Sequence, residues 1–156
     1  MSPKKEQSIV MFDGECGLCS RLVQFIMQRD SNVRFRFTPL QSASAQVIWR
    51  HYYKGADDLQ AAESGSFALV HNGRLYFKSD AALQLVKRME GLWPLLAGLV
   101  IVPWFIRDRV YDWVAKRRRQ WQLSSSCQWS PELAKAYQER LVNEKDAWYW
   151  VEQTGR

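Results

Sequence analysis

The stretch Ser8-Ile9-Val10-Met11-Phe12-Asp13-Gly14-Glu15-Cys16-Gly17-Leu18-Cys19 decides how the chain is read. Ile9 to Phe12 is a short apolar run that stops at Asp13-Gly14, the pattern of a buried strand entering a turn. From Cys19 onward Leu22, Val23, Phe25, Ile26 and Met27 recur at helical spacing until Asp30-Ser31-Asn32 ends them. The two cysteines therefore fall at a strand-to-helix junction. There the open N–H groups of the first helical turn favour a thiolate on Cys16, and two intervening residues keep Cys19 within reach of a mixed disulfide formed at Cys16. Cys16 reads as the nucleophile and Cys19 as the resolving thiol. Asp13, at the strand end, reads either as a proton shuttle for Cys19 or as an ordinary turn or capping aspartate.

Working outward, Val33-Arg34-Phe35-Arg36-Phe37 alternates, which predicts a strand with Val33, Phe35 and Phe37 facing inward. Pro39 separates it from a helix over 43–53. Phe67-Ala68-Leu69-Val70 and Arg74-Leu75-Tyr76-Phe77 flank His71-Asn72-Gly73, a strong hairpin signal. Ser79 reads as the N-cap of a following helix that carries Leu83, Leu85, Val86 and Met89. The order β, α, β, α, β, β, α over 8–90 predicts an α/β core with one parallel pair and an antiparallel hairpin.

With 156 residues and 47% hydrophobic composition the chain is long enough for one domain with a core, and collagen-like, low-complexity and disordered classes are excluded. Three cysteines are too few for a disulfide scaffold. The formal charge of +6 is uneven: residues 91–127 hold six basic and two acidic side chains, and seven of the eight tryptophans lie beyond residue 90. This marks a second segment, 91–127, basic and tryptophan-rich, on or beside the core. Residues 128–156 form a C-terminal helical extension, opened by Ser130 as N-cap and Pro131 at the first helical position.

Within the second segment, Leu92 to Ile106 is apolar but interrupted by Pro94, Gly98 and Pro103, and falls short of the roughly 20 residues a spanning helix needs. It reads as a buried helix or helical hairpin over one sheet face, or as a membrane-surface contact. Trp104 to Trp121 reads as an amphipathic helix with Ile106, Val110, Trp113, Val114 and Trp121 near one face. Tryptophan with arginine beside an apolar face suits peripheral membrane contact through 104–119. Nucleic-acid binding is not expected, because the basic run Lys116-Arg117-Arg118-Arg119 is short and accompanies no binding motif.

A zinc site from Cys16, Cys19, Cys127 and His51 or His71 is the competing chemistry, yet only one pair has ligand spacing, so no metal is expected. Cys127 is either a buried small residue or a third thiol able to pair with Cys16 or Cys19. Met1 to Gln7 is short and polar with no apolar signal region after it, which gives the expectation of a cytoplasmic, thiol-reducing address.

Four motifs in order, Asp13 to Cys19, Phe37-Thr38-Pro39-Leu40-Gln41, Lys78-Ser79-Asp80-Ala81-Ala82-Leu83, and Arg107-Asp108-Arg109-Val110-Tyr111-Asp112-Trp113-Val114-Ala115, make the chain from about Ile9 to Cys127 resemble the DCC family of thiol-disulfide oxidoreductases. The family's Asp-x-x-Cys-x-x-Cys signature is met by Asp13, Cys16 and Cys19. The resemblance implies a thioredoxin-like βαβαββα fold with added helices and a redox activity on a disulfide-containing protein or glutathione, with no bound cofactor beyond glutathione as co-substrate. The place of the cis-proline of thioredoxins is filled by Glu63-Ser64-Gly65-Ser66, where Gly65 and Ser66 would present backbone to a ligand. By similarity to glutaredoxins, Ser79 and Asp80 occupy the place of a pair that holds part of glutathione.

Overall fold

The computed structural model describes residues 7–14, 17–52, 67–118 and 130–154. Strand β1 (Ser8–Phe12) is followed by helix α1 (Gly17–Met27), strand β2 (Phe35–Pro39) and helix α2 (Ala43–Tyr52). Strands β3 (Ala68–His71) and β4 (Arg74–Phe77) then lead directly into helix α3 (Lys78–Val86). A 3₁₀ helix (Trp93–Ile101) and helices α4 (Trp104–Arg118), α5 (Pro131–Arg140) and α6 (Glu144–Thr154) complete the described chain.

The four strands form one mixed sheet in the order β2-β1-β3-β4. β1 runs parallel to β2, from Ser8 beside Phe35 to Phe12 beside Pro39, and antiparallel to β3, with Val10 beside Leu69. The hairpin β3-β4 is antiparallel, as Asn72-Gly73 predicts, and both turn residues have positive φ, 48° and 72°. Such a turn follows the right-handed twist of its strands, and the second position suits glycine. Gly73→Ala is expected to cost about 1–2 kcal/mol through the left-handed backbone alone, read as a lower urea midpoint with an unchanged slope.

Strand alternation sends side chains to two cores. Val10, Phe12, Phe37 and Leu69 pack with Val23 and Ile26 of α1 and with Ala81 and Leu85 of α3. Ile9, Met11, Ala68 and Val70 pack on the other face with Ala45 and Ile48 of α2 and with Ala147 and Trp150 of α6. The sheet is thus covered on both faces, as a parallel pair requires. The C-terminal extension is part of this architecture: Val142 N donates to Phe37 O at 2.9 Å along the free edge of β2, and Arg36 of β2 binds Asp146 at 2.9 Å. Ser130 caps α5 as its sequence predicts, accepting from Leu133 N at 3.2 Å.

Several expectations are corrected. Val33 is not an inward strand residue: it has φ 52°, is exposed, and precedes a strand that begins at Phe35. Its alternation with Phe35 and Phe37 is overridden by buried Asp30, whose carboxylate accepts from Arg34 N and Phe35 N and fixes the turn before the strand. Ser79 is not an N-cap, because α3 starts one residue earlier at Lys78, itself at φ 47°. His71 lies within β3 rather than in the turn, buried, with Nδ1 2.8 Å from Ser8 Oγ. The apolar run after Gly91 is no buried helix: it forms the 3₁₀ helix, none of whose residues is buried. Helix α4 has apolar and charged residues around its whole circumference, so the amphipathic reading fails for it.

Candidate functional site

The parallel strands β1 and β2 end side by side at Phe12 and Pro39, and the cysteine turn follows the first of these ends. In open α/β sheets the carboxyl ends of the strands are where ligands bind, because the loops there are released from the ladder. β4 is antiparallel to β3, and β3 to β1, so β4 also ends here and α3 begins here. One end of the sheet thus collects Asp13, Gly14, the start of α1, Phe67 and the pair Ser79-Asp80.

Helix α1 begins at Gly17, which places Cys19 in its first turn. Cys16, immediately before Gly17, lies outside the described residues, as do Gly65, Ser66 and Cys127. Asp13 and Gly14 are fixed by Gln41 from the loop after β2. Gln41 Nε2 donates to Asp13 Oδ1 at 2.9 Å, and Gln41 Oε1 accepts from Gly14 N at 3.2 Å. An amide side chain is both donor and acceptor, so one residue ties two successive residues just after β1. Gly14 sits close under that loop: a Cβ there would meet Pro39 Cβ at 3.2 Å and Gln41 Oε1 at 3.4 Å. The loop is itself braced by Thr38, whose hydroxyl lies 2.8 Å from those of Ser42 and Ser44, while Ser42 Oγ accepts from Ala45 N and caps α2.

Behind the turn, Phe12 packs edge-on against Tyr137 of α5, with centroids 6.5 Å apart. Burial pushes the Tyr137 phenol above its ordinary range, so a neutral ring backs the strand end.

Ser79 and Asp80 reach the same end of the sheet but are engaged by α4. The Ser79 hydroxyl donates to Asp108, and Asp80 pairs with Arg107 at 3.0 Å. Lys78 pairs with Asp112 at 3.2 Å, and the Tyr111 hydroxyl accepts from Phe67 N at 2.9 Å, next to Ser66 in sequence. The sequence motif around Arg107 to Ala115 therefore docks onto the motif around Lys78 to Leu83. Of the two histidines, His71 bonds Ser8 at the opposite end of β1 from the cysteine turn, and His51 packs against Tyr52 on α2. Among the described residues no group of three His, Cys, Asp or Glu side chains is placed to hold a metal ion.

Nothing local in the sequence gives Gln41, Tyr111 or Asp108 a role, because the partner of each is fixed only when two loops or two helices meet.

A parallel β-α-β pair, an antiparallel hairpin and a helix returning over one face define a thioredoxin-like α/β domain, here with a Cys-x-x-Cys at the mouth of its first helix. The family model described as DCC1-like thiol-disulfide oxidoreductase matches residues 10–124, and the chain belongs to that family. It is 35% identical over 113 residues to the uncharacterized protein YuxK of Bacillus subtilis (strain 168), an alignment that covers 72% of this chain and 79% of YuxK. It is also 35% identical over 125 residues to a DCC family protein of Arabidopsis thaliana described as chloroplastic, covering 79% of this chain and 70% of that one. No solved structure gave a significant match.

Proposed function

We propose that the chain is a dithiol oxidoreductase that reduces a protein disulfide or a glutathione mixed disulfide. The reading is carried by the Asp13-x-x-Cys16-x-x-Cys19 spacing at the carboxyl end of β1, where α1 starts at Gly17. The Cys16 thiolate attacks one sulfur of the substrate disulfide, a new S–S bond forms, and the other sulfur leaves as a thiolate. The Cys19 thiol loses its proton, with Asp13 as acceptor, and attacks Cys16. That step releases the second substrate thiolate and leaves a Cys16–Cys19 disulfide, so two electrons have moved to the substrate. A cellular dithiol or glutathione returns them.

Asp13 is suited to the proton step because Gln41 holds its carboxylate at the strand end. Gly65 and Ser66 are proposed to offer backbone to the substrate, and Ser79 with Asp80 to flank glutathione, after their contacts with Asp108 and Arg107 rearrange. The proposed setting is a thiol-reducing compartment such as the cytoplasm; among the described residues no helix is long and apolar enough to cross a membrane.

Trapping tests the reading. Cys19→Ser protein incubated with a disulfide-bonded substrate pool is expected to accumulate a mixed disulfide on Cys16, seen as a reductant-sensitive mass increase, while Cys16→Ser traps nothing. Equal adducts on both variants, or on neither, would sink the assignment of nucleophile and resolving thiol.

A further inference from the structure

Soluble helices turn their apolar face to the core and their charges to water. In α4 Tyr111 packs on the core, but the other contacts to α3 are largely polar. Asp108, Arg107 and Asp112 are turned onto Ser79, Asp80 and Lys78 of α3, while Ile106, Val110 and Trp113 are left exposed. The preceding 3₁₀ helix and its flanks continue this surface. Leu92, Leu95, Ile101 and Trp104 are 80%, 75%, 86% and 68% exposed, far beyond the scattered apolar residues of an ordinary surface. Within it, Ala82, Leu83, Val86, Leu96, Leu99 and Ile106 line an apolar groove of about 370 Å³, open to solvent, between α3, the 3₁₀ helix and α4.

We propose that this surface, the 3₁₀ helix with the outward side of α4, is a docking site for an anionic phospholipid bilayer. Charge complementarity selects that occupant. The two carboxylates of α4 are turned onto α3, whereas Arg109, Lys116 and Arg117 are exposed beside the apolar residues. The Arg117 guanidinium lies 4.4 Å from the Trp113 ring centroid, a pairing of cation and indole suited to the headgroup level of a membrane. A second copy docked face to face by a two-fold axis would bring the same cations of both chains together. The attachment is interfacial, since none of the described helices is long and apolar enough to span. It is independent of the thiol chemistry and sits beside α3, so a bound membrane would present substrates near the carboxyl end of the sheet.

Flotation of the full chain tests this, with vesicles of phosphatidylcholine alone and with a minor share of phosphatidylglycerol. The chain is expected to float with the anionic vesicles, with a blue shift of tryptophan emission, and to remain below with the neutral ones. Each basic side chain near an anionic surface is worth about fivefold in partitioning, so Arg109→Gln with Lys116→Gln is expected to weaken binding roughly twenty-five-fold. Trp104→Ser with Phe105→Ser, both at exposed positions, is expected to abolish it while leaving the thermal melt unchanged. Failure of the unmodified chain to float with anionic vesicles overturns the proposal, as does undiminished flotation of the Trp104→Ser, Phe105→Ser protein. A concentration-dependent dimer dissolved by those two substitutions, without lipid binding, overturns it in favour of a second copy.

Discussion

Replacing Asp30 by alanine is expected to destabilise the domain by about 3–5 kcal/mol, the cost of leaving a buried charge without its partner. The Asp30 side chain is 1% exposed, and its carboxylate receives Arg140 Nη1 at 3.0 Å, Arg34 N at 2.9 Å and Phe35 N at 3.0 Å. Arg140 also donates to the Asp30 carbonyl at 3.0 Å. Removing the carboxylate therefore strands a largely buried guanidinium and two backbone amides at the turn that joins α1 to β2. Against a typical total of about 5–15 kcal/mol, such a loss leaves a marginal fold. Urea denaturation measures it, and a cycle with Arg140→Ala separates the ion pair from the amide contacts. A loss below about 1 kcal/mol, the range of an exposed pair, would show that the pair does not hold the turn.

Asp30 also shows where the sequence stops being informative. It stands in Asp30-Ser31-Asn32 and reads there as a helix-stop signal, which it is. Its larger role depends on Arg140, 110 residues away, and no local pattern reports that pairing. The consequence spreads one turn further: alternation alone extends β2 back to Val33, but the Asp30 carboxylate claims the amides of Arg34 and Phe35 and leaves Val33 at positive φ in solvent. By contrast β1, the Asn72-Gly73 hairpin and the Ser130-Pro131 helix start were legible, because each is decided by residues within a few positions of one another.

Periodicity also cannot say what covers an apolar face. Leu92 to Ile101 carries enough apolar residues to suggest burial, and Pro94 and Gly98 within it, with Pro103 just beyond, explain why it forms a 3₁₀ helix instead of a long α-helix. That it lies outermost follows from α4 docking onto α3 through Ser79, Asp80 and Lys78. Ser79 in turn reads as a cap because serine before an apolar helical pattern usually is one. Its hydroxyl went to Asp108 once Lys78 took the bend. The candidate site divides in the same way. Spacing singles out Asp13, Cys16 and Cys19 as candidates, whereas nothing local singles out Gln41, since its contact with Asp13 spans 28 residues and exists only because β1 and β2 end side by side.

That contact makes the second large effect specific. If Asp13 accepts the Cys19 proton during resolution, Asp13→Asn is expected to slow release of the second substrate thiol about a hundredfold near neutral pH, the lower range for loss of a positioned acid or base. The deficit should shrink as pH rises past the roughly 8.5 at which an ordinary thiol ionises unaided, because a thiolate needs no acceptor. Gln41→Ala should give part of the same loss with the same pH shape, since it frees the carboxylate without removing it. Stopped-flow release of a chromophoric thiol from a preformed mixed disulfide on Cys16, followed across pH, measures both variants. A purely structural aspartate predicts a different curve: asparagine can still bond Gln41, so the turn would persist and any loss would be small and constant with pH. A deficit that does not close in alkali would therefore remove Asp13 from the proton path and leave it as the residue that, with Gln41, sets the shape of the turn.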